Sequence, residues 1–110
     1  MLNDYYMIPT KVMKGTFEID GEVRRLTSNE KILYAELVRY GLENATHEDN
    51  KEDRRLFCEV GQVTLGEDVG LSAFSVRQNL KKLKASGLIE ISKSTEYGAD
   101  TYYIQPLPKD

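Results

Sequence analysis

The chain has 110 residues, of which 40% are hydrophobic and 30% are charged, and its net charge is −3. A chain of this length is expected to form a single domain over residues 1–110. No apolar run approaches the roughly 18 residues of a membrane span, and no basic segment followed by an apolar core opens the sequence. The one cysteine, Cys58, cannot form an internal disulfide. These features argue against a membrane-spanning or secreted protein and predict a cytoplasmic one.

Residues 1–26 are predicted to form an N-terminal arm and a loop. We expect residues 1–13 to be extended. Residues 15–25 are polar and contain an Asp20-Gly21 pair, which is typical of a tight hairpin turn. The flanking apolar residues Phe17, Ile19 and Val23 favour a hairpin at this point.

Residues 27–41 are predicted to form the first helix. Thr27 and Glu30 have the spacing of a capping box at its start, and Gly41 has the position of a C-terminal capping glycine. The apolar residues of this segment cover a wider arc than a helix with one buried face needs. We therefore expect contact with the motif helices of residues 64–87 on one side, and with the N-terminal arm or a second copy of the chain on the other.

Residues 44–53 contain four acids and one lysine, which predicts a solvated loop. The one histidine of the chain, His47, falls in this loop and is expected to be exposed. Residues 54–63 alternate weakly around Leu56, Cys58 and Val60, which predicts a strand. We expect this strand to pair with a hairpin formed by residues 88–105.

Residues 64–87 have the pattern of two helices joined by a tight turn. Thr64 and Glu67 predict a capping box at the start of the first helix, and Gly70 its end. Ser72 is predicted to cap the second helix, and Gly87 to end it. A helix-turn-helix with a glycine in the turn places its second helix in the major groove of DNA.

The second helix is basic on its polar side. Its residues Val76, Leu80 and Leu83 form one apolar stripe at helical spacing. Four basic residues and no acid lie between Ser72 and Leu88, although the whole chain is acidic. A basic face of this kind is typical of phosphate binding. The alternative is a solvated helix face that binds nothing.

Residues 88–105 are predicted to form a β-hairpin, the wing. The run 71–89 follows the pattern Leu-Ser-x-x-Ser-Val-Arg-x-x-Leu-x-x-Leu-x-x-x-Gly-Leu-Ile and resembles the winged helix-turn-helix of bacterial regulators. Upstream, the Tyr-Tyr-x-Ile-Pro opening at 5–9 and the Glu-Lys-x-Leu-Tyr run at 30–34 are similar to the N-terminal domains of Gram-positive plasmid and phage replication initiators. Accessory DNA-binding proteins of mobile elements share this likeness. The resemblance implies an α+β fold of about three helices and a small antiparallel sheet.

The predicted DNA-binding residues form three groups. Residues expected at base edges and near the groove are Ser72, Phe74, Ser75, Arg77 and Gln78. Residues expected at phosphates are Lys81, Lys82 and Lys84. Residues expected at the wing tip are Lys93, Ser94, Thr95 and Tyr97. Phe74 has two other interpretations, because its ring could pack against the wing or the first motif helix, or contact a protein partner.

No enzymatic activity, metal or cofactor is predicted. Tyr5 and Tyr6 could suggest the tyrosine nucleophile of DNA-nicking initiators, but such enzymes need several histidines to hold a metal, and this chain has one. Cys58 has no histidine to activate it. The carboxylates cluster in a loop and form no defined acid–base pair.

The function predicted from the sequence is sequence-specific binding of double-stranded DNA, most simply by a homodimer on a two-fold site. The resemblance implies a role in the replication or conjugative transfer of a plasmid, phage or other mobile element, with a replication or transfer protein as a further partner. Transcriptional repression is the alternative role. A different class of function, a protein-interaction module that binds no DNA, also remains open, as does a place at the N-terminus of a longer initiator.

Overall fold

Helices and antiparallel strands alternate along the chain, as expected for an α+β protein. The computed structural model describes residues 8–47, 56–93 and 100–106, with the side chains of 44–47 excepted. The helices in these ranges are α1 (Thr10–Lys14), α2 (Ser28–His47), α3 (Gln62–Val69) and α4 (Ala73–Ala85). The strands in these ranges are β1 (Thr16–Ile19), β2 (Glu22–Arg25), β3 (Phe57–Glu59), β4 (Ile89–Ser92) and β5 (Thr101–Ile104). The winged-helix class is confirmed, because α3 and α4 form the helix-turn-helix and β4 and β5 form the wing.

The expectation of an extended N-terminal arm is wrong for residues 10–13, which belong to α1. The carbonyl of Pro9 accepts hydrogen bonds from the backbone N–H groups of Val12 and Met13, both at 2.9 Å. Val12 is 0% exposed, so the short helix is held by burial of one side chain. A single buried position has no period and gives no helical signal in the sequence. Residues 1–7 lie outside the described ranges.

The predicted hairpin around Asp20-Gly21 is confirmed. Strands β1 and β2 pair in antiparallel register, with Ile19 opposite Glu22. Asp20 and Gly21 have φ values of 53° and 84°, so both turn residues are left-handed. This is the signature of a type I′ turn, whose twist matches that of the paired strands. Ile19 is buried, whereas Val23 is 69% exposed.

The capping box of α2 is confirmed, but the predicted end of the helix is wrong. The N–H of Thr27 donates to the Glu30 carboxylate at 2.8 Å, and the N–H of Glu30 donates to the Thr27 hydroxyl at 3.2 Å. The helix continues past Gly41 to His47. A Cβ at Gly41 would lie 3.0 Å from the Leu56 Cβ, so this glycine allows close packing rather than ending the helix. The loop predicted for 44–47 is therefore helical, and 48–53 lies outside the described residues.

A buried ion pair joins the hairpin to α2. Two nitrogens of the Arg24 guanidinium donate to the two Glu30 carboxylate oxygens, each at 2.9 Å. Burial alone raises the pKa of Glu30, but the hydrogen bonds from Arg24 and Thr27 outweigh it and hold the pKa below its usual value. The ionised carboxylate therefore stabilises the folded state.

Replacing Glu30 with Gln should make the stability of the fold less sensitive to acid. Because the folded pKa lies below the unfolded value of about 4.3, the carboxylate stabilises the fold at neutral pH, and that contribution disappears as the pH falls through the folded pKa. We expect Glu30→Gln to lower the free energy of unfolding by about 1–3 kcal/mol at pH 7, with the gap closing in acid. Urea unfolding over a pH series measures this gap.

Glu22→Gln is the matched control, because the Glu22 side chain is 72% exposed and lies 3.7 Å from the same arginine. It should behave like the wild type at every pH. A gap between wild type and Glu30→Gln that persists unchanged in acid contradicts the assigned role of the ionised Glu30.

Within the described residues, the strand predicted for 54–63 is confirmed over β3, and residues 54 and 55 lie outside them. Gly61 caps the start of α3, so Gln62 and Val63 become helical instead of extending the strand. The sheet order is β3-β5-β4, with Cys58 opposite Tyr102 on one side of β5. The predicted pairing of this strand with the wing hairpin is therefore confirmed.

Helix α2 lies at the centre of the core. Its side chains Leu33 and Leu37 are fully buried, and the helix contacts α3, α4, β3 and β5. The predicted contact with the motif helices is confirmed. The rest of its wide apolar arc packs against strands β3 and β5. The sequence had instead suggested the N-terminal arm or a second copy of the chain at this position.

Candidate nucleic-acid interface

The turn between α3 and α4 depends on two glycines. Gly70 ends α3 with φ 76°, in the left-handed conformation that its position predicted. The N–H of Leu71 then donates to the Gly66 carbonyl at 2.9 Å, and this hydrogen bond ties the turn to the last turn of α3. A Cβ at Gly66 would lie 2.3 Å from the Leu71 carbonyl oxygen. The sequence pattern identified Gly70 but not the close approach at Gly66.

The predicted start of α3 at Thr64 is wrong. The helix begins two residues earlier, at Gln62, and Gly61 caps it without a side-chain hydrogen bond. Thr64 lies inside the helix, so the Thr64–Glu67 capping box does not form. A glycine cap leaves no side-chain pattern in the sequence. The spacing of Thr64 and Glu67 matches that of a capping box, and so it predicted a helix start two residues too late.

The predicted caps of α4 are confirmed. The Ser72 hydroxyl accepts a hydrogen bond from the Ser75 N–H at 3.1 Å, and Gly87 follows the helix with φ 84°. The Ser75 hydroxyl in turn lies 3.3 Å from the Asn79 amide nitrogen. Both serine hydroxyls therefore accept a hydrogen bond within the protein. Each hydroxyl can still donate its hydrogen to DNA.

Helix α4 separates its apolar and polar residues cleanly. Val76, Leu80 and Leu83 are at most 2% exposed and face the core. Phe74 lies on the opposite face and is 66% exposed. A ring this exposed is not buried by α3 or by the described part of the wing, whereas residues 94–99 of the wing lie outside the described ranges. Gln78 and Lys81 are also exposed on this face.

The basic residues of α4 differ in their surroundings. Arg77 lies on the α3 side, where its Nε donates to the Gln62 side-chain oxygen at 3.3 Å. Lys82 lies on the hairpin side, where its Nζ is 2.6 Å from the Asp20 carboxylate. Within the described ranges, the Lys81 and Lys84 side chains form no ion pair or hydrogen bond. Lys81 and Lys84 are therefore the most available phosphate contacts.

The predicted wing tip is described only at its base. Lys93 is 76% exposed and its Nζ lies 3.1 Å from the Asp100 carboxylate. This pair follows the last ladder position, where Ser92 lies opposite Thr101. Ser94, Thr95 and Tyr97 lie outside the described residues.

Three features near α4 were not predicted from the sequence. Asp20 approaches from the hairpin, Gln62 from the start of α3, and Val63 exposes 64% of its surface beside Gln62. The hairpin was predicted, but nothing in the sequence indicates that its turn reaches α4. An acidic turn in a chain with a basic helix is the one available signal, and it does not specify a contact.

The Cys58 thiol lies buried in the core. Burial, together with the negative charges of Glu36 and Glu59, raises the pKa of the Cys58 thiol to about 12, so it stays protonated at neutral pH. No group of metal-binding side chains occurs within 8–47, 56–93 and 100–106. Among the helices described, none combines the length and apolar character needed to cross a membrane.

Comparison with known proteins identifies the fold. No protein-family model matches the chain, and no curated protein matches it. A solved N-terminal domain of a DNA-binding protein has a TM-score of 0.71 and 19% identity, over 100% of this chain and 85% of the other. A solved Rep–DNA complex matches with the same values. This chain has their fold. The fold that the resemblance implied is thereby confirmed.

Proposed function

We propose that this chain binds double-stranded DNA through the exposed face of α4 and has no chemistry of its own. The observation that carries the proposal is the exposed, basic side of a helix whose apolar stripe is fully buried in a helix-turn-helix. The second helix of this motif enters the major groove. Its positive charge is local, since α4 holds four basic residues and no acid in a chain of net charge −3.

The exposed side chains suit two kinds of contact. Arg77 is suited to guanine, Gln78 to adenine, and the Phe74 ring to a thymine methyl group. Lys81 and Lys84 are suited to phosphates, which position the domain without specifying a sequence. Ser72 and Ser75 can donate from their hydroxyls. Lys93 and the rest of the predicted wing tip would contact the backbone beside the groove.

For the biological role, we propose the replication or conjugative transfer of a mobile element. The resemblance of the sequence and the match to a Rep–DNA complex support it. Transcriptional repression remains the alternative, because the same fold would serve at a promoter. A single domain of this kind covers a small site, so we also propose a homodimer on a two-fold sequence.

The proposal predicts a steep dependence of DNA affinity on salt. With three or four phosphate contacts per protomer, the slope of log affinity against log salt should be near −3 per protomer, at about −0.9 per contact. Fluorescence anisotropy with a labelled random-sequence duplex measures it. Lys81→Gln should reduce the slope by about 1. Lys14→Gln, an exposed lysine of α1, is the matched control and should leave the slope unchanged.

A second function is favoured by exposed apolar side chains on the two helices of the helix-turn-helix. Phe74 and Val63 are 66% and 64% exposed, which suits a protein partner as well as a base step. Absence of binding to any duplex at low salt would contradict DNA binding and favour this protein-interaction function.

A further inference from the structure

The turn of the β1–β2 hairpin lies against the proposed DNA-binding helix. The Asp20 carboxylate is 2.6 Å from the Lys82 Nζ, although the two residues are 62 positions apart in the chain. Strand β1 itself contacts α4, so the approach does not depend on one long side chain. The type I′ turn, in which both residues have positive φ, fixes the direction in which the Asp20 side chain leaves the backbone.

The turn of the hairpin carries charge of the opposite sign to α4, although strand β2 ends in Arg24 and Arg25. Glu18, Asp20 and Glu22 place three exposed acids within five residues. Of these acids, Asp20 at the turn reaches α4, a helix that has four basic residues and no acid. Among those basic residues, the described contacts pair Lys82 with an acid, whereas Arg77 contacts a neutral amide.

We propose that Asp20 limits DNA binding by holding Lys82 away from phosphate and so sets one edge of the DNA-binding surface. This inference rests on the proposed function and deepens it. The DNA backbone would be held by Lys81 and Lys84 and excluded from the hairpin side, where it would meet the acidic turn. Lys82 thus differs from the other lysines of α4, with which the sequence analysis grouped it.

The exposure of the pair makes this competition possible. The side chains of Lys82 and Asp20 are 42% and 60% exposed, and exposed ion pairs of this kind are weak. Phosphate can therefore compete for Lys82, but only by displacing Asp20 and approaching its charge. Removing the charge of Asp20 should release one lysine for DNA and remove one repulsion.

Asp20→Asn tests the proposal without disturbing the turn, because asparagine adopts the left-handed conformation as readily as aspartate. We expect the variant to bind a random-sequence duplex about fivefold more tightly, with a salt slope steeper by about 0.9. Glu22→Gln is the matched control, since it removes the same charge from the same hairpin but pairs with Arg24 instead of α4. It should change affinity by less than about twofold.

The same substitution in a Lys82→Gln background separates the specific pair from general charge. There, Asp20→Asn should gain less than about twofold. Lys82→Gln alone should lose less affinity than Lys81→Gln, because Lys82 is already engaged. Wild-type binding with no gain from Asp20→Asn, or an equal gain in both backgrounds, overturns this inference and leaves the proposed function standing. Absence of DNA binding by the wild type and every variant overturns the proposed function and the inference with it.

Discussion

Gly66→Ala is expected to disrupt the helix-turn-helix. The added Cβ would lie 2.3 Å from the Leu71 carbonyl oxygen and 3.4 Å from its carbon, and both atoms belong to the backbone of the turn. The turn cannot shift without breaking the hydrogen bond from the Leu71 N–H to the Gly66 carbonyl. We expect a loss of about 3 kcal/mol or more. For a domain of this size, that lowers the melting temperature by more than about 10 °C.

Gly61→Ala is the matched control on the same helix. A Cβ at Gly61 would have nothing within 4 Å, and its φ of −75° is ordinary for any residue. Alanine is a poorer helix cap than glycine but restricts the unfolded chain, so the two effects oppose each other. We expect a change within about 0.5 kcal/mol. Thermal unfolding followed by circular dichroism compares the two variants, and equal melting temperatures would contradict the close approach at Gly66.

Leu80→Ala should lower the stability of the fold, whereas Phe74→Ala should lower the affinity for DNA, although both residues lie on α4. Leu80 is 2% exposed in the core, so its truncation should cost about 2–5 kcal/mol of stability. Phe74 is 66% exposed, so its truncation should cost little. We expect Phe74→Ala instead to weaken binding to duplex DNA by about tenfold, in line with the roughly 1–3 kcal/mol of a good base contact.

Melting temperature and DNA affinity, measured on both variants, separate a role in the core from a role in binding. A large stability loss in Phe74→Ala would place the ring in the core and remove it from the binding face. Unchanged stability together with unchanged affinity would exclude a DNA contact and leave a protein partner as the role of Phe74. The Leu80 variant shows what loss of core packing alone does to binding.

The sequence predicted the helix boundaries of the helix-turn-helix correctly where a boundary depends on a capping side chain or on a glycine in the left-handed conformation. Ser72, Gly70 and Gly87 have such roles, and the structure places all three as expected. The same kind of signal failed at Gly41, because a glycine kept for close packing against Leu56 looks like a helix end in the sequence. Thr64 failed because a cap by Gly61 leaves no side-chain pattern.

The sequence predicted which residues of α4 are exposed, but it did not predict which other elements contact the helix. Helical periodicity placed Phe74 away from the buried stripe, and its exposure confirms that placement. The pairing of Asp20 with Lys82 was not predictable, since it joins residues 62 positions apart through the packing of the hairpin on α4. No period or local motif encodes a contact of this range.

Binding of duplex DNA by the exposed face of α4 can be measured directly. Titration of the isotope-labelled protein with an unlabelled duplex, followed by amide nitrogen–hydrogen correlation spectra, tests it residue by residue. We predict that the largest shifts fall at Ser72, Phe74, Gln78 and Lys81, with little change in the buried middle of α2 around Leu37. Shifts confined to α2 and β3, or no shifts at low salt, would contradict DNA binding by the exposed face of α4.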